Sequence, residues 1–153
     1  MLSVARETPD QTEVLRLLRM ADERSSSLYP TDIRYGPSVA TLVAQGVRFF
    51  VARLGGTAVG CGGYIACDNG AAELKRMFVD LKTRGQGIGR AILQVVEDEA
   101  RREGIRVMRL ETGVKSVEAR GLYLRFGYRE RGPFGTYSTD PLSVFMEKEL
   151  TPI

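Results

Sequence analysis

The sequence predicts an α+β fold built on a mixed, mostly antiparallel sheet, and two patterns carry that prediction. Short runs rich in β-branched and aromatic residues, separated by turn residues, are typical of strands. Two segments, 88–103 and 119–126, have apolar residues at i, i+3, i+4 and i+7, which is typical of amphipathic helices. The strands around residues 88–103 should form one right-handed parallel crossover, and the other strand pairs should be antiparallel.

The predicted elements follow from these runs and from the turn residues between them. In chain order they are a strand at 2–6, a helix from 9 to about 20 or beyond, a helix at 39–44, strands at 47–54, 57–66 and 74–79, a helix at 88–103, a strand at 105–111, a helix from 116 to 126, and strands at 128–131 and 142–149. Thr8, Pro9 and Gln11 form a capping-box pattern that starts the first helix. The polar stretch 25–37 is expected to be irregular, either a wall of a substrate site or a plain connector.

The length and the charge of the chain limit the class of protein it can be. The 153 residues are enough for one domain with a sizeable core, so a single domain is expected over residues 1–153. The 22 basic and 19 acidic residues are interspersed, which disfavours a nucleic-acid partner. The N-terminus carries charges where a signal peptide needs an apolar run, and no apolar stretch approaches the length of a membrane span. A cytoplasmic protein without a membrane partner is therefore expected.

The chain contains no histidine. This excludes Ser-His-Asp and Cys-His nucleophilic sites as well as His-ligated zinc and iron, and no metal is predicted. Acid–base chemistry must then come from Glu, Asp, Tyr, Lys, Cys or water. Cys61 and Cys67 form no metal-binding motif and are expected to be reduced, half-buried thiols.

The stretch 84–90 joins the predicted central strand to a helix and reads Arg-Gly-Gln-Gly-Ile-Gly-Arg. The first N–H groups of a helix lack intrahelical partners, and the helix dipole favours negative charge there. Glycines lack Cβ atoms, so a phosphate can approach the backbone, and Arg84 and Arg90 flank the loop as charged donors. The stretch indicates a pyrophosphate-bearing ligand; the alternative is a glycine-rich turn that binds nothing.

Two common phosphate-binding motifs do not fit this stretch. A P-loop would end in Gly-Lys-Ser/Thr, which is absent here. A dinucleotide fingerprint would need glycine at the position of Arg90.

The stretch instead resembles the Arg/Gln-x-x-Gly-x-Gly/Ala signature of the GNAT superfamily of N-acetyltransferases, with Arg84, Gly87 and Gly89 in the signature positions. Two later stretches are also similar to that family. They are Leu110-Glu111-Thr112-Gly113 followed by Ala119, Leu122, Tyr123, Gly127 and Tyr128, and a tail over residues 132–148 that resembles a subgroup of small bacterial acetyltransferases. The resemblance covers residues 2–150 and implies a GNAT-like twisted sheet flanked by helices on both faces.

The resemblance also implies a cosubstrate, acetyl-CoA, and residues that bind it. The backbone at Met77, Phe78 and Val79 would pair with the pantetheine arm. The pyrophosphate would be surrounded by the loop residues Arg84, Gly85, Gln86, Gly87, Ile88, Gly89 and Arg90. Relatives often carry Asn or Gln at position 116 in contact with the cofactor, so Ser116 would make a shorter contact or none.

Two residues are predicted to act in the chemistry. Tyr123 matches a tyrosine that serves in the family as general acid for the departing thiolate, whereas spacing alone favours a core tyrosine. Glu73, at the start of the central strand, is the candidate base, directly or through water; the alternative is a solvated strand-end carboxylate. Glu111 is the second candidate base.

The predicted function is transfer of an acetyl group from acetyl-CoA to a primary amine of a small molecule, an amino acid or a protein, by direct attack in a ternary complex. The alternative is an acyl-CoA-binding sensor without catalysis. The sequence leaves open the acceptor, the acyl-chain preference and whether the protein forms a homodimer.

Overall fold

One sheet of seven strands organises residues 1–30 and 36–153, the part of the chain that this computed structural model describes. The strands are β1 (Leu2–Arg6), β2 (Arg48–Leu54), β3 (Thr57–Ala66), β4 (Ala71–Val79), β5 (Val107–Gly113), β6 (Arg129–Arg131) and β7 (Ser143–Glu149). They lie in the order β1-β2-β3-β4-β5-β7-β6. In this sheet β4 and β5 pair in parallel and the other neighbours pair antiparallel, which confirms the predicted mixed sheet and element order.

Helices cover both faces of the sheet, as predicted. They are α1 (Thr12–Leu28), α2 (Val39–Ala44), α3 (Ile88–Arg102) and α4 (Val117–Arg125). Buried side chains of α3 and α4 join one apolar cluster, and those of α1 and α2 join another. The two clusters are the two sides of one sheet, because successive side chains of a strand point to opposite faces. In β2, Phe49 and Val51 belong to the α1 side, whereas Phe50 and Ala52 belong to the α3 side.

The start of α1 differs from the prediction. The helix begins at Thr12, with Gln11 in extended backbone as its N-cap, rather than at Pro9. The Thr8 hydroxyl instead accepts a hydrogen bond of 3.1 Å from the backbone N–H of Asp10. That bond closes a local turn, and such turns compete with helix formation at threonine. The predicted capping box is therefore wrong.

The end of α1 also differs, because residues 25–27 belong to the helix, which continues to Leu28. Part of the predicted irregular region, residues 31–35, lies outside the described chain. The central strand begins at Ala71, two residues before Glu73, so Glu73 does not open it.

The two cysteines are both free, but their exposure differs from the prediction of half-buried thiols. Cys61 is fully buried within β3, and burial raises the pKa of its thiol to about 12. Cys67 is exposed because β3 ends at Ala66.

No helix among the described residues is both long and apolar enough to cross a membrane. No group of three His, Cys, Asp or Glu side chains in the same residues could hold a metal ion.

Candidate active site

The site opens where β4 and β5 separate. Their parallel pairing covers Ala71 to Glu73 of β4, and its last pair joins Glu73 to Arg109. Beyond that point β4 continues to Val79 along β3, whereas β5 continues along β7 to Gly113. The two strands therefore enclose a cleft whose closed end lies at Glu73.

A β-bulge bends β4 at this cleft. Arg76 and Met77 together face the single residue Gly62 of β3, and Arg76 has the left-handed φ of +54°. A non-glycine residue in that conformation costs on the order of 1–3 kcal/mol, so the surrounding structure must hold it. The Arg76 guanidinium, which is almost fully buried, binds the Asp22 carboxylate of α1 at 2.8 and 3.3 Å. Bulges bend strands and are common next to active sites, which suits this position.

A cavity of about 800 Å³ occupies the cleft. Its lining includes six of the predicted site residues, which are Glu73, Met77, Phe78, Arg84, Ser116 and Tyr123. Val79 and residues 85–90 are not part of this lining. Ser116 stands at the N-cap position of α4, but its side chain makes no capping hydrogen bond.

The glycine loop lies at the start of α3. Gly85 and Gly87 have φ values of +82° and +75°, which favour glycine over other residues, and Gly87 is the N-cap of the helix. A Cβ atom at either position would meet nothing within 4 Å, so the backbone here is open to a ligand. The exposed turn and the N-terminus of the 15-residue helix α3 together make a surface suited to an anion.

The other loop residues have different environments. Gly89 is buried, and a Cβ atom there would lie 2.7 Å from Leu122, so this glycine allows α3 to pack against α4. Ile88 belongs to the core. The guanidinium of Arg90 lies over the ring of Phe126, 5.5 Å from its centroid. Arg84 forms an ion pair with Glu118 of α4, across the mouth of the cleft.

Tyr123 lies on the buried face of α4 and lines the cavity. Burial raises the pKa of its phenol, so the group stays protonated at neutral pH. No described residue forms a hydrogen bond with its hydroxyl group. A protonated phenol beside a cavity can donate a proton, but the same position also suits a core tyrosine.

Glu73 lies at the closed end of the cleft within a network of three side chains. Its Oε2 accepts a hydrogen bond of 2.6 Å from the Tyr137 hydroxyl and lies 2.9 Å from the Lys75 ammonium group. Lys75 also donates to the Tyr137 oxygen at 3.2 Å. Burial, and then the Glu73 carboxylate, raise the pKa of the Tyr137 phenol, so it acts here as a donor.

Glu111, the second predicted base, also lines the cavity. It lies within β5, which continues to Gly113, and its Oε2 accepts a hydrogen bond of 2.8 Å from Ser143 of β7. The structure therefore brings both candidate carboxylates to the same cavity.

The opposite wall of the cavity includes Tyr29, which follows α1. Its hydroxyl oxygen accepts a hydrogen bond of 2.8 Å from the backbone N–H of Lys115, between β5 and α4. A Cβ atom at Gly113 would lie 2.0 Å from this oxygen, so the contact requires glycine there. Tyr29, Gly36 and Pro37 of the predicted irregular region thus line the cavity, and a role in binding substrate stays a prediction.

The sequence prediction missed Lys75, Tyr137 and Arg76. Lys75 is two positions after Glu73, so the strand period places both side chains on one face, and this signal was available. Tyr137 comes from an irregular loop 64 positions away in sequence, where no periodic pattern applies. An arginine in a strand gives no signal of the bulge at Arg76.

The sheet order, the parting of β4 from β5 and the glycine turn that opens α3 define an acetyltransferase fold. A solved structure from Klebsiella pneumoniae subsp. pneumoniae, assigned to the acyl-CoA N-acyltransferases, matches it with a TM-score of 0.85 and 34% identity over 99% of both chains. The PaiA N-acetyltransferase of Thermoplasma acidophilum, solved in complex with coenzyme A, has the same fold, with a TM-score of 0.74 and 18% identity over 97% of this chain and 99% of that one.

The sequence comparisons identify the family. The model of the acetyltransferase (GNAT) family matches residues 12–128. A relative called IAA acetyltransferase, from Azospirillum brasilense, is 45% identical over 150 residues, which is 97% of this chain and 98% of the relative. The chain therefore belongs to the GNAT family of N-acetyltransferases and is an acyltransferase.

Proposed function

We propose that this protein transfers an acetyl group from acetyl-CoA to the primary amine of a small molecule, an amino acid or a protein. The observation that carries the proposal is the cleft between β4 and β5, which has Glu73 at its closed end and Tyr123 on its lining. Acetyl transfer to an amine needs a group that binds or deprotonates the ammonium form and a group that protonates the leaving thiolate. A carboxylate and a phenol on one cavity supply both.

The residues present fit acetyl-CoA. The open backbone at Gly85 and Gly87, at the N-terminus of α3, suits the pyrophosphate, with Gln86 and Arg84 beside it. The β5-facing edge of β4 at Met77, Phe78 and Val79 lies beyond the last parallel pair, so its backbone suits the pantetheine amides. When bound, acetyl-CoA supplies the thioester that carries the acetyl group.

Direct transfer in a ternary complex is favoured over a covalent acyl-enzyme. The chain has no histidine to activate a serine. Burial raises the pKa of the Cys61 thiol within β3, and burial and then the Glu73 charge raise the pKa of the Cys67 thiol, so neither favours a thiolate at neutral pH. The acceptor amine is then the nucleophile, Glu73 or Glu111 binds its ammonium form or takes its proton, and Tyr123 donates a proton to the thiolate.

The test is a panel of primary amines assayed for thiol release from acetyl-CoA. The panel should contain amino acids, small alkyl and aryl amines, and peptide N-termini. IAA, which is not a primary amine, is assayed separately because the Azospirillum relative is called IAA acetyltransferase. Thiol release with an amine and detection of the acetylated amine are expected. Binding of acetyl-CoA without thiol release for any acceptor would contradict the proposal and favour an acyl-CoA sensor.

A further inference from the structure

The closed end of the cleft carries a feature that the acetyl-transfer proposal does not use. Both donors to Glu73 engage the same carboxylate oxygen, since the Tyr137 hydroxyl lies 2.6 Å and the Lys75 ammonium 2.9 Å from Oε2. Among the described residues none donates a hydrogen bond to Oε1. The side chain of Glu73 is only 14% exposed, so few other donors can reach it from solvent.

The loop that supplies Tyr137 is itself held in place. The Tyr137 ring packs against Phe134 and Phe145, with centroids 5.1 and 5.3 Å away. Phe145 lies in β7 and is buried, which ties this part of the loop to the sheet. The Lys75 ammonium also lies over the Tyr137 ring, 5.7 Å from its centroid. The hydroxyl is thus directed at Glu73 by packing and not by that hydrogen bond alone.

The geometry points to Tyr137 and Lys75 as positioning residues that hold Glu73 through Oε2 and leave Oε1 as the oxygen that receives the acceptor ammonium group. The inference rests on the proposed amine acetylation. Two charge-assisted bonds to one oxygen fix the rotamer of the carboxylate. The loop over residues 132–142 then belongs to the acceptor side of the site, because it supplies Tyr137.

Other ionisable groups face this network. Glu111 and Cys67 both lie close enough to Tyr137 to contribute, after burial and Glu73, to the raised pKa of its phenol. Any pH-dependent measurement therefore needs comparison with Glu111→Gln and Cys67→Ser variants.

The kinetic test is a double-mutant cycle between Tyr137→Phe and Glu73→Gln. Tyr137→Phe keeps the ring packing and removes the hydroxyl, so kcat/KM for the amine should fall by about tenfold to a hundredfold, the usual effect of losing a hydrogen bond to a charged group. The KM for acetyl-CoA should not change.

The cycle separates positioning from a merely structural role. In the Glu73→Gln background, Tyr137→Phe should have little further effect, because the hydroxyl acts through Glu73. Tyr64→Phe is the matched control: it removes a hydroxyl from another Tyr–Glu pair, with Glu103, that does not line the cavity. Equal losses from Tyr137→Phe in both backgrounds would overturn the inference.

A second measurement does not depend on activity. In protein labelled with ¹³C at the tyrosine Cζ, the Tyr137 signal is assigned by its loss in Tyr137→Phe. At neutral pH this signal should shift in Glu73→Gln and stay in place in Glu103→Gln, which should shift the Tyr64 signal instead. An unshifted Tyr137 signal in Glu73→Gln would refute the network, whereas absence of thiol release with every amine would refute the proposed function.

Discussion

The Tyr128 hydroxyl donates a hydrogen bond of 2.9 Å to the carboxylate of Glu97, which lies fully buried on α3. The Lys148 ammonium group of β7 lies 2.7 Å from the other carboxylate oxygen of Glu97, and the Arg101 guanidinium lies 3.6 Å from that same oxygen. Burial and then the Glu97 charge raise the pKa of the Tyr128 phenol, which therefore remains a donor. A buried carboxylate is tolerated when such partners satisfy it. The network joins α3, the helix that follows the glycine loop, to β7 of the sheet.

Removing the ammonium group of Lys148 should destabilise the fold. Lys148→Met keeps the length of the side chain and leaves Glu97 buried with its charge only partly compensated, which costs about 3 kcal/mol. The free energy of unfolding from urea denaturation measures this loss. Lys82→Met is the control, because Lys82 is exposed in a turn outside the core. A change in Lys148→Met no larger than in the control would contradict the role of the network.

Much of the fold could be predicted because its elements follow local periodicity. The helices α3 and α4 and every strand except β4 lie within two residues of their predicted bounds, and β4 begins three residues earlier than predicted. The position of β7 between β5 and β6 does not follow from chain order. The start of α1 could not be predicted, since Thr8 can either cap a helix or close a turn and the choice depends on tertiary contacts. The burial of Glu97 was also missed, because no local pattern shows that Tyr128 and Lys148 reach it.

The candidate site could be predicted where it lies on regular elements. Glu73 on β4 and Tyr123 on α4 do line one cavity, although their chemical roles remain predictions. Tyr137 could not be predicted, because an irregular loop brings it back to β4 through aromatic packing with Phe134 and Phe145. Long-range contacts of this kind depend on the whole fold and not on spacing in the sequence.

A pH dependence of stability is expected from Arg53. Its guanidinium binds both oxygens of Glu7, at 2.9 and 3.0 Å, and this hydrogen bonding lowers the pKa of that carboxyl. The contribution to stability is therefore present above the unfolded carboxyl pKa of about 4.3 and is lost as the pH falls through the lower folded value. Arg53→Met should cost about 1 kcal/mol at neutral pH.

The measurement is the difference in Tm between wild type and Arg53→Met across pH. This difference should shrink as the pH falls from about 4.3 through the lower pKa of folded Glu7, below which Glu7 is protonated in both states. The control is Arg129→Met, which removes an exposed arginine 3.9 Å from Glu149. A constant difference down to acid pH would show that Arg53 acts through packing and not through charge.

Acetyl-CoA should stabilise the folded protein through the loop at the start of α3. At a concentration a hundredfold above the dissociation constant the expected gain is about 2.7 kcal/mol, seen as a rise in Tm. Gly87→Asp places a side chain and a negative charge where the pyrophosphate is proposed to bind, so the ligand-induced shift should disappear. The matched variant is Gly104→Asp, because Gly104 has a similar φ of +82° and lies beyond the other end of α3.

Both variants should lower the Tm of the free protein through backbone strain, but only Gly104→Asp should keep the shift with acetyl-CoA. If acetyl-CoA raises the Tm of the two variants equally, the pyrophosphate does not bind at Gly87. If acetyl-CoA does not raise the Tm of the wild type, the loop does not bind this cosubstrate.

Tyr123→Phe separates the acid role from the core role. The ring and its packing remain, so acetyl-CoA binding and Tm should change little. If the phenol protonates the leaving thiolate, kcat should fall by about 10²–10⁴-fold, as is typical of a positioned general acid. The neighbouring Tyr128, whose ring centroid lies 5.7 Å away, supplies the control: Tyr128→Phe loses the bond to Glu97 and should lower Tm with kcat unchanged. If Tyr123→Phe keeps the wild-type kcat while the chemical step is rate-limiting, Tyr123 is a core tyrosine and not the acid.

Glu73→Gln distinguishes binding of the acceptor from removal of its proton. An amine is mostly protonated at neutral pH and must lose a proton before it attacks the thioester. A carboxylate that only attracts the ammonium group contributes to binding, so its loss should raise KM for the amine and leave kcat unchanged. A carboxylate that takes the proton contributes in the transition state, so kcat should fall and the acidic limb of the kcat–pH profile should flatten.

We expect Glu73→Gln to raise KM for the amine, because Lys75 and Tyr137 hold Oε2 of the carboxylate and leave Oε1 for the ammonium group. Glu111→Gln is the companion variant, since Glu111 lines the same cavity. If Glu73→Gln matches wild type in both constants and in the pH profile while Glu111→Gln lowers kcat, the base is Glu111 and Glu73 has no part in the reaction. If both variants keep the wild-type kcat and its pH profile, the proton leaves to water and the carboxylates only shape the acceptor site.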